Sequence, residues 1–244
     1  MEATTAIEIK DLTKKFGDFT AVNAINLKVS KGEIFGFLGA NGAGKTTAIR
    51  MLTGLSTPSS GEANIAGFDV YKERESIKEN IGYMSQKFSL YGDLSIRQNI
   101  RFYGGIYGLS RKEIQAKTQE ILEELQLKDY ADKVVADLPL GWKQKLAFAV
   151  STVHNPAIVF LDEPTGGVDP LTRRQFWEMI YASAAKGITI FVTTHYMDEA
   201  EYCDRICIMV AGKIEALGTP HELKQRFDTD HMDDVFLKLV RNKS

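Results

Sequence analysis

The chain has 244 residues, 44% of them hydrophobic and 25% charged, the proportions of an ordinary globular protein long enough to bury a full core in one α/β domain. A formal net charge of −2 leaves no basic field with which to hold nucleic acid non-specifically, so general DNA or RNA binding is excluded.

Met1–Lys10 lacks the basic stretch and long apolar core of a secretory leader. Ile7 and Ile9, then Ile25, Leu27 and Val29, alternate with polar residues and predict half-buried strands. After the turn Ser30-Lys31-Gly32-Glu33 comes the continuous apolar run Ile34–Leu38, which suits a strand buried on both faces. Thr46–Leu52 is helical and stops at Gly54; Ser56–Gly61 turns into another strand near Ile65. Ser95-Ile96-Arg97-Gln98 and Ser110-Arg111-Lys112-Glu113 are capping-box patterns, and the second opens a helix with Ile114, Ile121, Leu122 and Leu125 on its apolar face. Residues from about 88 to 137 therefore read as an all-helical insertion between two α/β portions.

Strand–helix alternation resumes with a buried strand at Ala157–Leu161, a helix at Thr172–Lys186 ended by Gly187, and a strand at Ile188–Thr193. Cys203 and Cys207 are too few for a disulfide framework and wrongly spaced for CxxC; beside Ile206 and Ile208 they read as small core hydrophobes. Arg205–Val210 and Ile214–Leu217 form a hairpin around Ala211-Gly212, and the tail from about 220 to 244 is helical, with Val235, Phe236, Leu239 and Val240 on one face. Nowhere does an apolar run approach the ~20 residues of a membrane span. With no internal repeat and no long linker, residues 1–244 are expected to form one domain kept in the cytoplasm.

Three segments carry chemistry. Gly39-Ala40-Asn41-Gly42-Ala43-Gly44-Lys45-Thr46 fits G-x-x-x-x-G-K-[ST] between a buried strand and a helix, where backbone N–H groups can wrap a phosphate. Lys45 would bring a point charge to the β/γ-phosphates and Thr46 a hydroxyl to Mg²⁺. Asp162 and Glu163 end a second buried strand, which in a parallel sheet can face the same edge as the loop. Asp162 would complete the metal shell and Glu163 would deprotonate the attacking water; alone, Asp-Glu-Pro-Thr-Gly also reads as a simple turn. His195 follows a third apolar strand and would reach the γ-phosphate or hold the water, where a lone histidine is more often structural.

Taken in order, Phe16, the 39–46 loop, Gln86, the 138–145 segment, Asp162-Glu163, Gly167-Val168-Asp169 and His195 resemble the ATP-binding cassette (ABC) family over nearly the whole chain. Asp162–Asp169 and Thr193–Ala200 are most similar to the short cassettes of drug and small-molecule efflux pumps. The resemblance implies an α/β P-loop NTPase fold with a mixed central sheet, an antiparallel β portion and an inserted helical subdomain. It implies Mg²⁺-dependent ATP hydrolysis, with Phe16 stacked on adenine, Thr47 beside Thr46 in the nucleotide site, Gln86 touching the metal, and Asp169 meeting an opposing cassette. It also implies integral membrane subunits that move the substrate, holding this chain on the inner face of the cell membrane.

One segment departs from the family, whose signature reads Leu-Ser-Gly-Gly-Gln. Here it is Leu138-Pro139-Leu140-Gly141-Trp142. Pro139 supplies neither hydroxyl nor N–H, and Leu140 lacks glycine's freedom at positive φ. The expectation is a weakened face toward the partner's nucleotide, and a pairing with a different, intact cassette is favoured over a homodimer. Two rival readings are a soluble cassette ATPase of translation or DNA repair, and a nucleotide-binding module that barely hydrolyses. The first would bring paired cassettes or a long coiled coil; Glu163 and His195 speak against the second.

Overall fold

The computed structural model describes residues 5–86 and 90–241; the expected start of the helical insertion at Phe88 lies outside the described residues. Strands β1 (Thr5–Phe16) and β2 (Phe19–Ser30) form an antiparallel hairpin and lead to β3 (Ile34–Gly39) and α1 (Lys45–Leu52). Next come β4 (Ser60–Ile65), β5 (Phe68–Asp69), α2 (Arg74–Asn80) and β6 (Ile81–Met84). Helices α3 (Ile96–Ile106), α4 (Arg111–Glu124) and α5 (Leu140–Ser151) precede β7 (Ile158–Asp162), α6 (Pro170–Ala185) and β8 (Thr189–Thr194). The chain closes with β9 (Arg205–Val210), β10 (Lys213–Gly218), α7 (Pro220–Arg226) and α8 (Met232–Arg241).

Two sheets result. One is antiparallel, in the order β2-β1-β4-β5; the other has the order β10-β9-β3-β8-β7-β6 and is parallel except for β10. All six residues of β3 are buried, as the continuous apolar run requires of a strand covered on both faces. One core fills the space between the sheets around α1, with Ile49, Met51, Phe35 and Phe191 at its centre. The opposite face of the larger sheet packs on α5, α6 and α8 through Phe148, Phe176, Trp177 and Val235.

A third core binds α3, α4 and the irregular segment after them. Ser95 and Ser110 both close the capping boxes their sequences encode, each satisfying two helix-end donors. This core also takes Leu146, Ala149 and Val150 from α5, whose Ala147 and Phe148 belong to the sheet core. The packing of the helical unit thus runs past Asp137. Helix α2 was not foreseen: with Ile77 as its one buried residue, it has no periodicity to read.

His154 joins the helical part to the sheet. Its ring stacks on Tyr107, the residue that ends α3, at 3.6 Å between centroids, and its Nε2 lies 3.1 Å from the Ile81 carbonyl. Burial pushes its pKa down to about 4, only partly opposed by that hydrogen bond. The folded-state value lies below the ordinary imidazole value of 6.5, so the unfolded chain binds the proton more readily and stability is lost as pH falls from about 6.5 toward 4. Thermal unfolding of the wild type should therefore show a drop in Tm across that window that His154→Phe, which keeps a stacking ring, largely removes. An identical drop in the variant would place the acid sensitivity elsewhere.

Candidate active site

The phosphate loop turns from the end of β3 into the first turn of α1. Gly44 caps that helix with φ 108°, and a Cβ there would lie 2.4 Å from the Ala21 carbonyl oxygen, so only glycine fits. The turn aims the chain at a helix N-terminus, whose first N–H groups lack intrahelical partners and attract anions. Lys45 opens the helix with 4% of its surface exposed. Its ammonium donates to the Gly39 carbonyl at 2.7 Å and the Ala40 carbonyl at 3.1 Å, and pairs with Glu163 Oε1 at 3.3 Å.

Sheet order brings the other groups in. Strand β8 lies between β3 and β7, with Thr193 opposite both Phe37 and Asp162. The Thr193 hydroxyl donates to Asp162 Oδ1 at 2.8 Å and the Thr46 hydroxyl to the same oxygen at 3.3 Å. Burial pushes the Asp162 carboxyl above the ordinary carboxylate range, while those two hydrogen bonds pull the other way. Its second oxygen, Oδ2, is buried without a hydrogen-bond partner among the described residues. Thr193 was not singled out from sequence; its signal is a polar pair, Thr193-Thr194, closing an otherwise apolar strand.

Glu163 sits one residue past β7 with φ 51°, a left-handed conformation costing a non-glycine residue about 1–2 kcal/mol. Its N–H donates to the Thr193 carbonyl, and its Oε2 lies 3.1 Å from both Gln86 Nε2 and His195 Nδ1. Six residues expected at the site (Lys45, Thr46, Gln86, Asp162, Glu163 and His195) therefore stand in one chain of contacts. A carboxylate so held can accept a proton from a water beside a phosphate bound on the loop. The buried, unpartnered Asp162 Oδ2 and the Thr46 hydroxyl are hard oxygen donors of the type Mg²⁺ takes. Among the described residues no three His, Cys, Asp or Glu side chains converge on a metal position.

The remaining candidates lie in other surroundings. Phe16 is 56% exposed at the tip of the β1–β2 hairpin, with the Lys14 ammonium 5.1 Å from its ring centre. Thr47 is half-buried in the first turn of α1. Asp169 caps α6, accepting from the Thr172 N–H at 3.0 Å and the Thr172 hydroxyl at 2.6 Å. Leu138 is buried, whereas Pro139 and Leu140 are exposed where α5 begins, and Pro139 caps it without a side-chain hydrogen bond. Gly141 is glycine for a local reason: a Cβ would meet the Thr172 methyl at 2.5 Å where α5 and α6 approach. Trp142 packs edge-on against Tyr130 at 5.1 Å, and Gln144 donates to the Gly166 carbonyl at 3.1 Å.

Fold and site define a phosphate-loop nucleotide-binding domain. The sequence model of a family described as "ABC transporter" matches residues 22–166, and the chain belongs to that family. It is 49% identical over 243 residues to the "Probable multidrug ABC transporter ATP-binding protein YbhF" of Escherichia coli (strain K12), covering 98% of this chain but 42% of that protein's length. It is 39% identical over 221 residues to the "Nod factor export ATP-binding protein I" of Rhizobium meliloti (strain 1021), covering 90% of this chain and 66% of the relative. Among solved structures, an "ATP binding subunit of ABC transporter" superposes with a TM-score of 0.88 at 28% identity, over 97% of this chain and all of the other. A dimeric ATP-binding cassette in a post-hydrolysis state bound to ADP and Pi superposes with a TM-score of 0.79 at 26% identity, over 87% and 98% of the two chains.

Proposed function

We propose that this chain is the ATP-binding and ATP-hydrolysing subunit of an ABC exporter, converting ATP + water into ADP + phosphate and passing the resulting opening and closing to membrane subunits. The observation that supports it best is the Glu163 carboxylate held by Gln86 and His195 at 3.1 Å, with Lys45 at 3.3 Å. The 39–46 loop binds the phosphates, Lys45 offsets their charge, Glu163 takes the proton of the attacking water, and His195 orients Glu163 and the γ-phosphate. Thr46, Asp162 and Gln86 would hold Mg²⁺, which would supply positive charge to offset that of the phosphates. Phe16, with its exposed ring, would stack on adenine.

Export is the direction that the relative named for Nod factor export supports. Among the described residues no helix is long and apolar enough to cross a membrane, so membrane subunits would supply the spans and hold this chain at the inner face of the membrane. Tyr91, Phe102 and Tyr103 form an aromatic cluster on α3 and the loop before it, with Tyr91–Phe102 centroids 4.7 Å apart and Ile106 61% exposed nearby. That patch is where a short helix of a membrane subunit would dock. Crosslinking through Tyr91→Cys in native membranes should trap an integral membrane protein; recovery of soluble partners alone would count heavily against the transporter reading.

The Pro139-Leu140 departure bears on pairing. Losing one charge-assisted hydrogen bond to a γ-phosphate across the dimer would cost about 1.5–3 kcal/mol. Two copies of this chain would make two weakened composite sites, whereas a partner cassette with an intact signature would complete the site on this chain's Lys45, Asp162 and Glu163. The working unit is therefore an asymmetric heterodimer, with the homodimer as its rival. ATPase rate measured against concentration, alone and with candidate partner cassettes, decides between them. Strong activation by one partner, abolished by mutating that partner's signature serine, is expected. A high rate rising with the square of concentration for the chain alone would establish the homodimer.

A further inference from the structure

Glu199 has no exposed surface, although it lies four residues past His195 in a 3-10 turn, Met197–Tyr202. Its Oε1 accepts a 2.6 Å hydrogen bond from the hydroxyl of Thr165, also buried and two residues past Glu163. Arg173, in the first turn of α6, brings Nε to 3.7 Å from the same oxygen. Its guanidinium contacts Asp198 Oδ2 at 3.3 Å and lies 4.4 Å over the ring of Tyr196, whose ring in turn lies 4.1 Å from that of His195. Glu199 Oε2 and Arg173 Nε are both buried without a hydrogen-bond partner among the described residues.

A fully buried carboxylate with one neutral donor and one imperfectly placed cation is costly to keep, and an apolar residue of similar size packs at lower cost. Its placement suggests what that cost serves. Ladder pairing holds β7 to β8 only as far as Asp162 and Thr193, and the two reacting side chains, Glu163 and His195, stand just past those strand ends. Glu163 is moreover in a left-handed conformation that its surroundings must enforce. The Thr165–Glu199 bond is a side-chain tie between these two loops beyond the ladder, and Arg173 extends it to α6, whose N-cap is Asp169.

The geometry points to Glu199 as a positioning residue for hydrolysis, acting through Thr165 to hold the loop bearing Glu163 against the turn that follows His195, with Arg173 bracing the pair. This rests on the hydrolytic reading of the site. Glu199 is fully buried, so it governs kcat through the geometry of the Glu163–His195 pair, where displacements of about 1 Å can cost a hundredfold.

The test uses the full chain with Thr165→Val, Thr165→Ser and Glu199→Gln, read by steady-state ATPase kinetics and by amide hydrogen exchange of segments 163–169 and 196–202. The expected result is a fall in kcat of about ten- to a hundredfold for Thr165→Val, with KM within about twofold, and recovery in Thr165→Ser, which keeps the hydroxyl. Glu199→Gln should fall less, since its amide oxygen still accepts from Thr165, and the Thr165→Val/Glu199→Gln double variant should be no worse than Thr165→Val alone. Exchange should quicken in both segments together and stay unchanged in α1. Full kcat in Thr165→Val below its Tm, equal loss in Thr165→Ser, or faster exchange in one segment alone would overturn the assignment. Wild-type protein without Glu163-dependent turnover would defeat the hydrolytic reading, and the tie between the loops would then be decided by exchange alone.

Discussion

Glu163→Gln should bind Mg-ATP about as well as the wild type while its turnover falls at least about a hundredfold, the scale of a general base. The amide oxygen still accepts from Gln86 and His195, both 3.1 Å from the carboxylate, so the loop keeps its shape. What disappears is the ability to take a proton. The substitution also removes the ion-pair partner 3.3 Å from the Lys45 ammonium, leaving that charge free for phosphate, so nucleotide affinity should hold or rise. Phosphate release and equilibrium binding of a fluorescent ATP analogue separate the two effects. Turnover near the wild-type rate would remove Glu163 from the reaction.

Lys45→Ala should do the reverse and weaken binding itself. The ammonium is 4% exposed and held by the Gly39 and Ala40 carbonyls, so its direction is set before any ligand arrives. A charge-assisted hydrogen bond in such a setting contributes about 1.5–3 kcal/mol, which corresponds to an affinity loss of roughly ten- to a hundredfold. The variant also leaves the nearby Glu163 without its cation, and a modest fall in Tm should accompany the loss. Unchanged affinity for the analogue would mean that the 39–46 loop is not where phosphate binds.

Much of the fold was legible because its signals are local. Ile34–Leu38 offers no polar side, and β3 is accordingly covered on both faces between β8 and β9. Ser95 and Ser110 announce their helices by short-range hydrogen bonding that the chain forms wherever it folds. The phosphate loop is legible for the same reason: its glycines, Lys45 and Thr46 are contiguous. Contacts made across the sequence were not. Gln86 and His195 meet one carboxylate from 77 and 32 positions away; Gln86 was picked out by resemblance and His195 by its place after an apolar strand, with no periodicity to bring either there. Thr193, Thr165 and Glu199 were given no role because Thr193 reads as a strand end and the other two as ordinary residues of polar turns until their partners are known. The closeness of Thr172 to Gly141 was equally invisible, because that contact lies on another helix.

Helix α5 buries Leu146, Ala149 and Val150 among the α3–α4 helices and Ala147 and Phe148 against the sheet. Cut-and-paste recombination between relatives therefore has no clean seam at Asp137. A chimera that exchanged only residues 90–137 would set a foreign helical pair on one face of a native α5 and leave mismatched volumes in that core. An exchange carried through to Val153 keeps the third core whole, but it imports a foreign Ala147–Phe148 surface and must then be matched to Phe176 across the sheet core. The interchangeable unit is accordingly larger than the visible insertion, and its true border is a line drawn along the length of one helix.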